Sequence, residues 1–432
     1  MISNIYNLNY FIIILLPLLL ITGPFLSDLS LVVLDLTFLY FFFSKKNEIS
    51  LDYNKNLIIL FLGYYFYSTI LSLFSENLFL SLKSSLFYFR FGLFVLAINY
   101  FLNFKKDLID KFTNILIILI LFVCFDALFQ FVIGFNLLGF ELQNNDKLNG
   151  IFGDEPLLGS YLFRLLPLAL ACLIYKFGNK NFRYYNTMFI FLVFLVIFLS
   201  GSRASLFLSI LFIMLFFLFV RSYQKQILIL GIIFIISFTI IAKFNEKFAY
   251  KSYYNIIDPI KRILTTKQGN FETKGGKDLN LANTNFTVFT SIHESHFITA
   301  YKIFKENKIF GVGNKMFRVL CSKEEYKVNE FSCSTHPHNY YLQMLSENGI
   351  LGFLLIFIFF TICLYNLIKE LFIRYYYKLK KINDPCIIIL IGLFINLWPI
   401  VPTGNIFNNW LSILIYYPLG FYYFFKKNYQ YE

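Results

Sequence analysis

Twelve stretches of nearly uninterrupted apolar residues divide the chain. They cover 9–27, 28–43, 56–75, 86–102, 112–134, 157–177, 185–200, 203–220, 226–243, 346–368, 386–401 and 407–425. Most approach the ~20 residues a helix needs to cross the hydrocarbon core of a bilayer. The pattern therefore predicts about twelve transmembrane helices, with the second, seventh, eighth and eleventh short. A tight turn joins the first two. The first run has neither a basic start nor a small-residue cleavage site, so it reads as a retained helix. The longest polar stretch, 244–345, separates the ninth run from the tenth. The expected organisation is helices 1–9 over 1–243, a large loop over 244–345, and helices 10–12 with the C-terminus over 346–432.

Composition supports an all-α polytopic membrane protein. Hydrophobic residues make up 58% and charged residues 15%, against about 25% charged in soluble domains. The net charge of +13 does not point to nucleic acid, because the basic residues collect in alternate short loops. Lys45, Lys46 and Lys55 share one, Lys105, Lys106 and Lys111 the next, then Lys176, Lys180 and Arg183, with Lys369 to Lys381 and Lys426–Lys427 later. Loops between these are poor in Lys and Arg. The positive-inside rule then places both termini in the cytoplasm and 244–345 outside.

All four histidines fall in that outer segment: His293, His296, His336 and His338. Its first part, 244–264, is basic and aromatic and includes Arg262. The second, 265–285, is rich in Gly, Asn, Thr and Lys and reads as a mobile arm. Over 294–307, Phe297, Ala300, Tyr301 and Phe304, with Ile298 and Ile303 nearby, predict an amphipathic helix lying on the membrane or the bundle. Cys321 and Cys333 lie twelve positions apart in the same segment. In an oxidising compartment they can pair, which would stabilise the loop by about 3 kcal/mol. His293-Glu294-Ser295-His296 is not the HExxH zinc pattern, and neither a metal nor a cofactor is expected. Arg90, Arg164, Asp126 and Gln130 fall within the outer halves of predicted helices, where charge is costly and usually functional. Arg203 opens a helix in Ser200-Gly201-Ser202-Arg203, a setting suited to an anion.

The motifs together resemble the O-antigen ligase and O-antigen polymerase superfamily of the bacterial inner membrane. His338-Asn339, then Gly349 and Gly352, match the ligase spacing. The stretch 151–160, with Asp154 and Glu155, looks like the family's loop before a middle helix, and 200–203 like its Arg-bearing turn. Phe310-Gly311-Val312-Gly313 looks like the turn that precedes its histidine. Two departures stand out: Phe353 follows Gly352 where some ligases have Thr-Thr, and His293 and His296 stand where the family usually places an Arg. The resemblance implies a GT-C-like architecture and a metal-independent, inverting transfer of an undecaprenyl-diphosphate-linked glycan to a lipid A–core acceptor among membrane lipids. It implies His338 as general base, with His336 orienting, and Arg203 with Arg262 or Arg90 on the diphosphate. Arg164 is a further cationic candidate and Arg318 is held in reserve. Polymerisation of the lipid-linked repeat is the neighbouring reading. A polysaccharide flippase is the reading from another class, and it has little need of a hundred-residue loop holding every histidine.

Overall fold

The structure, a computed structural model, describes residues 2–44, 53–105, 107–142, 147–178, 182–244 and 289–428. Arg262 and the expected arm 265–285 lie outside the described residues. Those described are helical apart from turns, loops and one isolated bridge between Phe135 and Glu141. In chain order the helices are α1 (Ile2–Leu19), α2 (Pro24–Ser44), α3 (Lys55–Ser72), α4 (Leu78–Ser85), α5 (Phe89–Phe104), α6 (Leu108–Ile133), α7 (Leu158–Phe177), α8 (Arg183–Leu199), α9 (Arg203–Phe219), α10 (Gln224–Phe244), α11 (Ser291–Glu306), α12 (Phe317–Leu320), α13 (Tyr340–Phe372), α14 (Asp384–Asn396) and α15 (Asn409–Asn428).

Each of the twelve predicted runs overlaps a helix, and among the described residues six spans have the length and apolar composition to cross a membrane: Pro24–Ser44, Leu78–Phe104, Leu108–Ile133, Leu158–Phe177, Arg221–Lys243 and Tyr340–Tyr377. Two boundaries differ from expectation. The turn between α1 and α2 falls at 20–23 rather than at 27–28, because Pro24 has no N–H to lose and opens a helix readily. The helix expected from 346 begins at Tyr340, so the end of the histidine motif is also a helix start.

Apolarity on all sides sends a helix to the interior. Every residue of α14 is buried, and so is α7 along most of its length. The two pack on each other, with α6 and α8 against α7 and α15 along α5. At the periphery α10 turns Leu228, Ile232 and Ile235 outward, as a lipid-facing helix does. Buried Asp126 and Gln130 do not form a charged pathway with the arginines. Asp126 accepts from Leu137 N at 3.0 Å, while Gln130 accepts from Gly150 N at 2.7 Å and donates to Phe140 O at 3.1 Å. They satisfy the backbone of the loop after α6, as buried polar groups must. Arg90 pairs with Asp28 at 2.9 Å.

A second, smaller core holds the segment from 289 to 338. Ala300 and Ile303 of α11 close on Met316, Phe317, Leu320, Cys321 and Tyr326. Cys321 and Cys333 are disulfide-bonded across this core, with their Cα atoms 5.1 Å apart. The amphipathic helix is present, but its buried face is Ser295, His296, Thr299, Ala300 and Ile303, and Tyr301 is exposed. That face is turned by about one residue from the predicted stripe. α11 packs on α13, and this contact takes small and polar side chains in preference to Tyr301.

Two features tie the cores and the far end together. α13 breaks at Gly349, where φ is 65° and ψ −166°. The turn 308–313 docks into the break: Ile350 N donates to Lys308 O at 2.8 Å, Gly313 N to Glu347 O at 2.8 Å and Val312 N to Ser346 O at 3.3 Å. Gly311 and Gly349 lie back to back, and a Cβ at Gly349 would stand 2.2 Å from Ile309 O. At the far end of α13, Arg374 Nε binds Glu370 at 2.8 Å and Nη1 binds Asp384 at 2.7 Å, with all three side chains no more than 3% exposed.

Gly349→Ala is expected to cost roughly 3–4 kcal/mol through strain and a backbone clash that cannot relax. Gly63→Ala, which meets nothing within 4 Å, should leave thermal unfolding in detergent unchanged. Equal melting temperatures for the two variants would refute the docking argument. Arg374→Gln should cost about 3–5 kcal/mol, because buried Glu370 loses its cationic partner and buried Asp384 keeps only Lys380. Lys380→Gln, whose lysine is 47% exposed against Asp384, should cost at most about 1 kcal/mol in the same measurement.

Candidate active site

The break in α13 and the small core together determine where the histidines lie. All four meet in one cluster. The His338 ring centroid is 4.1 Å from His336, 5.2 Å from His296 and 5.2 Å from His293. The i and i+3 spacing of His293 and His296 puts both on one side of α11, and Thr290 caps that helix and contacts His293 Nδ1 at 2.8 Å.

His338 has a φ of 56°, in the left-handed region that costs a non-glycine residue about 1–3 kcal/mol. Three contacts hold it there. Its carbonyl accepts from Thr403 N at 2.8 Å. Asn339 caps α13, its Oδ1 accepting from Tyr341 N and Leu342 N at 3.0 and 3.1 Å. Asn339 Nδ2 donates to Pro399 O at 2.8 Å. The Asn of the motif is thus a cap and an anchor, and Pro337 restricts His336, the residue before it, to an extended or turn conformation. The His338 Nε2 atom lies 3.2 Å from the Ser334 hydroxyl. His336 contacts Thr403 O at 3.3 Å through Nε2 and the Thr335 hydroxyl at 2.9 Å through Nδ1.

Burial is the main reason that the cluster is neutral. It pushes His338 down to about 3, helped by the neighbouring His336, His293 and His296. His336 falls to about 4 for the same first reason, opposed by its bond to Thr403 O and lowered further by Arg318. Burial also lowers His293 and His296. At neutral pH each imidazole keeps a lone pair able to take a proton. Among the described residues, no group of three or more His, Cys, Asp or Glu is arranged to hold a metal ion.

A cation flanks the cluster, and a second lies near that cation. Arg318 donates to Thr335 O at 3.0 Å, which puts it beside the histidine strand. Lys315, at φ 59°, has its proton affinity lowered by burial and by the charges of Arg318, Lys83 and Arg90, against the opposing pull of Glu347. Glu347 is fully buried and accepts from Phe317 N at 3.1 Å and Gln343 Nε2 at 3.0 Å. Gln343 also reaches Asn405, and Asn348 reaches Asn314. Of this polar group, Glu347 and Asn348 fall inside the apolar run 346–368, where no charged or amide site was expected. Three side chains of that kind in one span, 343–348, are the signal that would have exposed it. Thr403 and the 399–405 loop gave no such signal.

The other expected residues scatter around this centre. Arg164, buried in α7, bonds to Ser160 and lies against Tyr340, the residue after Asn339. Arg203 is exposed at the start of α9, where Ser202 accepts from Ser205 N. One turn on, Phe207 meets Trp398 at 6.5 Å, next to the loop that touches both motif histidines. Gly159 packs directly on the Ser200–Ser205 turn, its added Cβ falling 2.7 Å from Ser200 Oγ, so two of the quoted motifs meet in space. Asp154 and Glu155 are exposed on the turn before α7. Gly352 allows close packing on Asn348. Arg90 is committed to Asp28.

No curated protein matches this chain. The family model described as O-antigen ligase matches residues 188–357. That stretch opens inside α8 and ends in α13, and it contains Arg203, the four histidines, Lys315, Arg318, Glu347 and both motif glycines. Over that stretch the chain is similar to the O-antigen ligase family, and the match supports the O-antigen ligase superfamily.

Proposed function

We propose that the protein is an O-antigen ligase of the bacterial inner membrane. It would move polysaccharide from undecaprenyl diphosphate to lipid A–core at the periplasmic face. The observation that carries this reading is His338: half-buried, neutral, held in a strained backbone conformation, and set in a segment that Arg318 contacts. A hydroxyl oxygen of the acceptor sugar attacks the anomeric carbon. The bond from that carbon to the diphosphate oxygen breaks, and its electron pair leaves with undecaprenyl diphosphate. His338 takes the hydroxyl proton. A single displacement inverts the anomeric centre. His336 fixes the loop that presents His338.

The leaving diphosphate needs positive charge and no proton. Preorganised cations supply such stabilisation cheaply in a site shielded from water. Arg318 with Lys315 takes the place assigned in sequence to Arg262, and Arg203 approaches from α9. Arg164 positions Tyr340, and Arg90 fastens α5 to α2. A cavity of about 450 Å³ opens at Tyr340 and continues between α3, α5, α13 and α15 past Tyr64, Tyr88 and Tyr416. Its aromatic and aliphatic walls suit a polyprenyl chain. The alternation of basic loops favours cytoplasmic termini, with the histidine segment in the periplasm. Polymerase chemistry shares the donor and the bond, and the family description favours the ligase.

His338→Ala should lower transfer by about 10²–10⁴ while the protein stays folded in the membrane, read by the shift of core to capped lipopolysaccharide on a gel. Glycan stranded on its lipid carrier marks a ligase, whereas core bearing a single repeat marks a polymerase. With His338 at about 3, the base is unprotonated from pH 8 down to about pH 5, so kcat/KM should be flat there and fall only in stronger acid. His336→Asn removes a like charge and should move that fall to higher pH. A wild-type inflection near 6.5 would contradict the buried neutral cluster.

Arg318→Gln and Arg203→Gln should each reduce kcat/KM for the diphosphate donor by tenfold or more, with melting temperature preserved. Arg90→Gln should instead lower the melting temperature. The reverse ranking in parallel kinetics and melts would return the diphosphate to Arg90.

A further inference from the structure

A second cavity, of about 350 Å³, lies at the opposite end of the bundle from the histidines. It sits at the start of α3, the C-terminal half of α13, the loop before α14 and the end of α15. It shares Leu57, Phe359, Leu419 and Tyr423 with the large apolar cavity, so the two adjoin along an apolar slot. The character of the walls changes along it. The upper part is almost wholly aliphatic and aromatic. The lower mouth carries Lys369, Lys381 and Lys426.

The acid in that mouth is turned inward. Glu370 is 1% exposed and bonds inward, to Arg374 Nε at 2.8 Å and to the backbone N–H groups of Lys381 and Ile382 at 3.2 and 3.1 Å. The three lysines, by contrast, lie at exposed positions. A basic loop alone is ordinary at a cytoplasmic surface. Three lysines around a cavity within the size range of small-ligand sites, opening into an apolar slot, have the complementarity of an anionic amphiphile.

We propose that this mouth binds the headgroup of an anionic phospholipid from the cytoplasmic leaflet, with an acyl chain lying in the lower part of the slot. The phosphate sits among Lys369, Lys381 and Lys426, and the chain passes between Leu57, Phe359 and Leu419. The site is separate from the histidine cluster and takes no part in glycosyl transfer. Its occupant fills the end of the slot that a polyprenyl chain entering beside Tyr340 would approach from above.

The test uses the full chain purified in detergent, with no glycan donor present, so its failure leaves the transfer chemistry untouched. Native mass spectrometry compares retention of phosphatidylglycerol and phosphatidylcholine. Phosphatidylglycerol should be held about a hundredfold more tightly, from three lysines at a charged headgroup. The variant K369Q/K381Q/K426Q should reduce it to the level of phosphatidylcholine, and His338→Ala should leave it unchanged. A photoreactive phosphatidylglycerol on the unaltered chain should label 362–382 or 419–426, which keeps the test valid if the triple variant does not fold. Equal retention of the two lipids, labelling confined to 289–338, or displacement by inorganic phosphate as effective as by lipid would each overturn the proposal.

Discussion

The docking of turn 308–313 into the broken helix at 346–350 is the contact on which the rest of the site depends. It is made by backbone on backbone, at a separation that admits no side chain on Gly311 or Gly349. Tyr67 seals it from α3, donating to Asn348 O at 2.7 Å. Because the helix is interrupted there, its first nine residues are free of the axis of the long apolar span below. They tilt as the small core requires, and Asn339 and His338 go with them. Buried Glu347 carries the same junction further, binding the start of α12 through Phe317 N. One junction therefore positions the histidine strand and the Lys315–Arg318 pair together.

On the proposed reading, the centre built on this junction would serve two opposed electrostatic demands. A base for a sugar hydroxyl must be unprotonated, whereas a departing diphosphate requires fixed positive charge. Burial meets the first demand, holding His336 and His338 far below the usual imidazole range. Arg318 would meet the second, since a guanidinium keeps its proton under conditions that discharge an imidazole. Its charge also helps to keep His336 neutral. The strain at His338 is sustained by bonds from a distant loop, through Thr403 and Pro399.

Local pattern revealed much of this. Long apolar runs have few alternatives to membrane-type helices, and their positions agree with the observed helices to within a few residues at most ends. The signal failed where two rules competed, as at Pro24, or where polar residues opened an apolar helix, as in 340–348. The face of α11 was misjudged because apolar spacing ranks Tyr301 above Ser295, whereas close packing on α13 prefers the smaller side chain. Arg90 and Asp126 looked functional by depth alone, and their partners, Asp28 and the loop after α6, lie far away or in irregular backbone.

The sequence by itself determined the helical class, the gathering of every histidine in one polar segment, and the spacing of His338, Asn339, Gly349 and Gly352. These follow from composition and order along the chain, which no folding step can alter. Only the tertiary structure decided that four histidines separated by up to 45 positions form one cluster, that Arg318 stands beside it, and that Thr403 from another loop holds it. Those contacts join residues distant in sequence, and their energies depend on burial, which arises only when the two cores close.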